Sequence, residues 1–126
     1  MARILVAEDE EDLRGLVQRA LREAGHATDA VADGAEALER IEQADTPFDL
    51  LLADIRMPVM DGIALALAVA PSQPALRILL MTGYADQRER AHGLESLIDG
   101  VLAKPFTMAE LLATVDAALK RGAGSH

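Results

Sequence analysis

The run Leu50-Leu51-Leu52-Ala53 holds no polar residue, and it stops abruptly at a carboxylate, Asp54. A strand with one wet face would alternate apolar and polar positions, so this run fits a strand covered on both faces, as in a parallel sheet flanked by helices. Just beyond it, Pro58 to Gly62 breaks the regular pattern. Asp54 is therefore expected at the carboxyl-terminal edge of a buried strand. In open α/β sheets that edge is where ligands and chemistry collect.

The remainder of the chain repeats the theme. Residues 3 to 7 form a short, largely apolar run ending at Glu8-Asp9, and Leu13, Leu16, Val17, Ala20, Leu21 and Ala24 then recur at helical spacing, with Gly25 placed to end the helix. The acids at 8 to 12 sit where a helix amino terminus favours negative charge. Ala27 to Val31 reads as a weaker strand, and Asp33-Gly34-Ala35-Glu36 resembles a capping box opening a helix through Leu38 and Ile41. After the central strand comes a short alanine-rich helix, expected to turn Ile63, Ala66, Leu67 and Ala70 inward, with Leu65 and Val69 as filler on its outer flank. Pro71 and Pro74 stop it.

Arg77 to Met81 is a fourth run, ending in Thr82-Gly83-Tyr84, and the polar segment Asp86 to Gly93 reads as a weakly anchored fourth helix. Val101 to Ala103 is a fifth run, ending at Lys104-Pro105-Phe106. Thr107-Met108-Ala109-Glu110 is a second capping box, opening a fifth helix with Leu111, Leu112, Val115, Ala118 and Leu119. Five apolar runs alternating with five helical patterns predict an α/β fold, a parallel sheet with helices on both faces.

Composition narrows the function. The 126 residues, 51% of them hydrophobic, suffice for one ordinary core and leave no room for a second output domain. A net charge of −9 with only 12 Lys and Arg argues against a nucleic-acid surface. With no cysteine, disulfides and thiolate metal sites are ruled out. The first apolar run is too short for a signal peptide and none approaches a membrane span, so the cytoplasm is the expected location. Gly122 to His126 read as a frayed tail or an appended remnant. His26, His92 and His126 lack metal-ligand spacing and are expected on the surface, whereas Met57, Met60 and Met81 are expected to pack.

Four strand ends carry groups suited to phosphate chemistry: Glu8 and Asp9, then Asp54, Thr82 and Lys104. Three carboxylates brought together repel, and a hard cation such as Mg2+ neutralises them. Asp9 and Asp54 are the expected ligands, with Glu8 acting through a water. A carboxylate can also act as a covalent nucleophile, and an incoming phosphoryl group needs its oxygens neutralised by metal, hydroxyl and ammonium. Thr82 and Lys104 would supply the last two.

From about residue 3 to residue 121 the chain resembles a receiver domain of a bacterial two-component response regulator. The resemblance is carried by Glu8-Asp9, by Asp54-Ile55-Arg56-Met57-Pro58 with Met60-Asp61-Gly62, by Thr82-Gly83 and by Lys104-Pro105-Phe106. It implies a flavodoxin-like (βα)5 doubly wound sheet of strand order 2-1-3-4-5, with the receiver occupying residues 1–121 and 122–126 as a disordered tail. It further implies that Asp54 accepts a phosphoryl group from a histidine kinase or a histidine phosphotransfer protein. The Arg56 carbonyl would join the metal, and the Lys104-Pro105 bond would be cis. The chain would be a signalling phosphoacceptor that assists its own phosphorylation and dephosphorylation, not an enzyme with an external substrate.

The resemblance also implies an output face on the fourth helix, fifth strand and fifth helix, engaging a downstream protein effector, with no nucleic acid and no membrane. Val101 stands where the family usually has Tyr or Phe as a switch, and Tyr84 is the candidate to take over part of that gating. Arg56 and Tyr84 flanking the site are expected to hinder attacking water and lengthen the life of the phosphoryl group. Short alphaproteobacterial regulators of cell-cycle proteolysis share the Ala-Glu-Asp start and a Val at this position, which would make the effector a protease system. The rival readings are a phosphorelay intermediate or phosphate sink without an effector, and an aspartyl phosphatase. Arg56 counts against the phosphatase, because such enzymes place an acid/base carboxylate there. A nucleotide-binding module is weaker still, since no Gly-rich loop follows the first strand.

Overall fold

The computed structural model describes residues 2–83, 94 and 96–124. Five strands, β1 (Arg3–Ala7), β2 (Ala27–Val31), β3 (Leu50–Asp54), β4 (Arg77–Thr82) and β5 (Gly100–Ala103), form one parallel sheet in the order β2-β1-β3-β4-β5. Four helices are described: α1 (Glu11–Glu23), α2 (Gly34–Gln43), α3 (Gly62–Val69) and α4 (Met108–Gly124). The helix α4 corresponds to the fifth helical pattern of the sequence and extends beyond the boundary expected at residue 121. The fourth pattern, at 86 to 93, lies outside the described residues. Among the described residues no helix is long and apolar enough to cross a membrane.

Side-chain alternation along the strands builds two cores. Ile4, Val6, Leu50, Leu52, Leu79, Met81 and Leu102 pack beneath α1 and α4, meeting Val17, Leu21, Leu111 and Val115. Leu5, Ala7, Leu51, Ala53, Ile78 and Leu80 point the other way, to α2 and α3. Both faces of β3 are thus dry, which is why its sequence shows no alternation. Its neighbours β1 and β4 pair with it along almost its whole length.

The helices begin and end largely as their sequences imply. Thr107 and Glu110 close a reciprocal capping box, each backbone N–H donating to the other's side chain at 2.8 and 3.0 Å. At α2 only the Asp33 half is seen, its carboxylate accepting from the Glu36 N–H at 2.8 Å. The helix α1 stops at Gly25, where the His26 N–H returns to the Leu21 carbonyl.

Three expectations about faces are corrected. In α3 it is Leu65 and Val69 that are buried with Ile63 and Ala66, while Leu67 is 49% exposed. An all-apolar helix offers no polar face to set its rotation, and packing against α2 and β4 sets it instead. In α1 the stripe Val17, Ala20 and Leu21 faces the sheet, leaving Leu16 and Ala24 exposed. His26 is half-buried, its Nδ1 accepting from the Ala2 N–H at 3.1 Å. Met57 and Met81 are buried and Met60 packs against the α2/α3 core, as expected of packing residues.

Candidate functional site

The strand order reverses between β1 and β3, and the site lies at the carboxyl ends of those strands. Asp54 is the last residue of β3 and is buried there; Glu8 follows β1, Thr82 ends β4, and Lys104 follows β5. Along β3, Asp54 keeps the parity of Leu50 and Leu52, toward α1. One step past their strands, Glu8 continues the parity of Val6 and Lys104 that of Leu102. Shared parity brings the three side chains together. The Lys104 Nζ lies 3.0 Å from Glu8 Oε1 and 3.1 Å from Asp54 Oδ2.

Asp9 completes an acidic cluster, with one oxygen from each of Glu8, Asp9 and Asp54 lying within 4.8 Å of one another. Glu8 and Asp54 are buried and Asp9 is exposed. Burial pushes the Glu8 carboxyl above its usual value, with the Asp54 charge adding to the rise. Burial likewise raises Asp54; Lys104 and the Arg56 backbone N–H at its carboxylate pull the other way without cancelling the rise. Burial draws the Lys104 ammonium down, but hydrogen bonds and attraction from Glu8 and Asp54 outweigh it and leave its pKa raised.

Three carboxylates facing one ammonium leave the site electron-rich. Its oxygen-only donors suit a hard cation, and Asp9 and Asp54 would hold it. When bound, such an ion would supply positive charge to anionic oxygens brought to this edge.

The loop after β3 is built to aim Asp54. The Gly62 N–H donates to the Ile55 carbonyl at 2.8 Å, and a β-carbon on Gly62 would lie 2.4 Å from the Asp54 carbonyl oxygen. Only a residue without a side chain lets α3 start this close. Asp61 caps α3 by accepting from the Ala64 N–H at 2.8 Å. The Lys104 N–H donates to the Thr82 carbonyl at 2.7 Å, and the Lys104-Pro105 bond is cis.

Of the residues marked out in the sequence, Glu8, Asp9, Asp54 and Lys104 converge. Thr82 is buried one strand from Asp54, in register with Ala103. Arg56 is exposed beside Asp54. Val101 lies opposite Leu80 on β5 and is 38% exposed. Tyr84 lies outside the described residues, so the gating and water-hindering roles expected of it are not described. Sequence reading passed over two features, the closeness of Gly62 to Asp54 and the direct contact of Glu8 with Lys104. The Asp61-Gly62 pair signalled the first; nothing local signalled the second.

A flavodoxin-like sheet with an acidic cluster at its switch point and a lysine reaching it from β5 is the architecture of a receiver-type signalling domain. Residues 4–116 match the response regulator receiver domain, and the chain belongs to that family. It is 39% identical over 116 residues to the response regulator receiver protein CpdR of Brucella abortus, covering 92% of this chain and 95% of CpdR. Several transcriptional regulators also match, and the chain spans about half their length.

Among solved structures, a CheY-like receiver domain protein of Methanospirillum hungatei superposes with a TM-score of 0.90 at 25% identity, covering 100% of this chain and 99% of that one. TrrA of Thermotoga maritima, solved in complex with Mg(2+)-BeF, superposes at 0.83 with 30% identity, covering 94% of this chain and 99% of that one. The flavodoxin-like fold and strand order expected from the sequence are those observed.

Proposed function

We propose that this chain is a phosphorylation switch, with residues 1–121 as the receiver. Asp54 accepts a phosphoryl group from a histidine kinase or histidine phosphotransfer protein in the cytoplasm, with Mg2+ held by Asp9, Asp54 and the Arg56 carbonyl. The carboxylate oxygen attacks phosphorus, the donor histidine nitrogen leaves, and the developing charge falls on oxygens faced by the metal, Thr82 and Lys104. The observation that carries this reading is the Lys104 ammonium resting on Asp54 at the end of β3. Near-complete overlap with the CpdR chain supports an output through protein contacts.

Phosphorylation would draw Thr82 inward and bias the surface around β5, Val101 and α4 between two states. The effector is a protein, and the resemblance to short regulators of cell-cycle proteolysis favours a protease system. The test is intact mass after incubation with Mg2+ and acetyl phosphate. One phosphoryl group is expected on the wild type, and none on Asp54→Ala or in EDTA. If neither acetyl phosphate nor phosphorylated donor proteins ever modify the folded wild type, the reading fails. Rapid return of the group to a phosphotransfer protein, with no effector bound, would instead favour the phosphorelay intermediate.

A further inference from the structure

We infer that the outer face of α3 is a self-association surface, on which two copies of this chain meet as a weak two-fold dimer. The inference stands apart from the receiver reading above and concerns a face that reading leaves unused.

The helix α3 is apolar all round. Ile63, Leu65, Ala66 and Val69 are buried, and the helix packs against α2 and β4. Its opposite side shows Ala64, Leu67 and Ala68 to solvent, with Pro71 one turn on, and these positions follow the i, i+3, i+4, i+7 spacing of a single stripe. Leu67 is 49% exposed. From Gly62 to Leu76 no residue is charged, and no other stretch of the chain runs as long without a charge. A helix with one face in water ordinarily puts polar groups there, whereas a helix apolar all round is ordinarily covered on both sides. Leu16, exposed to a similar degree on α1, differs in having Asp12 and Arg19 one turn away on either side.

Charge and shape name the occupant. The chain carries a net charge of −9, so two copies repel wherever their acidic surfaces meet, and the α3 face is where they can touch without bringing like charges together. A different protein would be selected by charges or hydrogen bonds, and the stripe offers none. It does complement itself. A two-fold axis through the stripe runs the helices antiparallel and sets Leu67 of each copy over the small Ala64 and Ala68 of the other.

The eight residues of α3 span about 12 Å, so each copy covers roughly a few hundred Å2, short of the roughly 800 Å2 per partner of a stable complex. The dimer is accordingly weak, with a Kd of about 0.1 mM. The helix α3 lies on the α2 side of the sheet and α4 on the other. Joined through α3, two copies keep both α4 surfaces free and can present them together to one effector, which raises avidity without any new contact.

The experiment is sedimentation velocity on wild type, Leu67→Arg, Ala68→Arg and Val101→Arg, from about 10 µM to about 1 mM and at low and high salt. Wild type is expected to pass from the monomer mass toward twice that mass. Leu67→Arg and Ala68→Arg should each weaken association by about tenfold or more. Each reduces the net negative charge and so relieves general repulsion, which makes a loss of association specific to the face. Val101→Arg makes the same charge change on β5 and should leave the dimer as it was. Added salt should tighten the wild-type dimer, because it screens repulsion and spares an apolar contact. Amide NMR signals that move with concentration should fall within residues 62–71.

A wild type that stays monomeric at about 1 mM overturns the inference, whatever other protein α3 then binds. So does a dimer that Val101→Arg breaks and Leu67→Arg spares, or one that salt weakens. Should Leu67→Arg not fold, Ala68→Arg, at an exposed position of the same stripe, carries the same test.

Discussion

A β-carbon on Gly34 would lie 2.1 Å from the Met60 carbonyl oxygen, so the amino terminus of α2 rests directly on the backbone of the loop that follows Asp54. Both sides of the contact are main chain, and neither yields as a side-chain tip would. Gly34→Ala should therefore destabilise the fold by about 1–3 kcal/mol, as overpacking does, and slow phosphoryl uptake by displacing the loop. Urea unfolding beside an uptake assay checks both. Wild-type values in each would mean that the loop yields freely.

The corrected rotation of α3 separates two leucines of equal size. Leu65→Ala opens a cavity in the α2/α3 core and should cost about 2–5 kcal/mol, whereas Leu67→Ala, at a half-exposed position, should stay within about 1 kcal/mol. Equal losses in chemical unfolding would contradict the observed rotation.

Val59 is a β-branched residue at φ 69°, with the Met60 N–H closing a tight turn onto the Pro58 carbonyl at 2.7 Å. Left-handed backbone disfavours a branched side chain, and Val59 is 84% exposed, so little packing offsets the strain. Val59→Gly should raise stability by about 1 kcal/mol after allowing for the greater freedom of glycine when unfolded. A lower melting temperature would show that the valine makes a contact that matters.

His26 gives a pH dependence with a definite sign. Its Nδ1 accepts from the Ala2 N–H, which a proton there would block, and burial lowers its pKa from the usual 6.5, with Asp116 opposing. The unfolded chain therefore holds that proton where the folded one has released it. The contribution of His26 is whole above about pH 6.5 and is lost as pH falls from there through the folded value. The stability gap between wild type and His26→Ala, about 1 kcal/mol at pH 8, should narrow below pH 6.5. A gap independent of pH between 5 and 8 would remove the imidazole from the account.

Much of the candidate site was legible because strand ends are local. The apolar runs before Glu8, Asp54, Thr82 and Lys104 each end where a polar group begins, and alternating strands and helices place all those ends on one edge. The cores were legible wherever period and polarity agreed, as in the Val17-Leu21 face of α1 and the Leu111-Val115 face of α4. Legibility failed in α3, where Gly62 to Val69 carries no polar residue and any rotation satisfies the pattern.

The sequence by itself determined the parallel sheet, its helical layers and the set of groups at its carboxyl edge, because hydrophobic period and chain punctuation act within a few residues. Only tertiary structure decided what those groups do to one another. Glu8 and Lys104 are separated by 96 positions in the chain, and their contact follows from β1 and β5 ending on one edge with side chains of the same parity. The same holds for Gly34 against Met60 and Gly62 against Asp54. Backbone clearance there depends on which elements meet, and that is fixed by the packed fold as a whole.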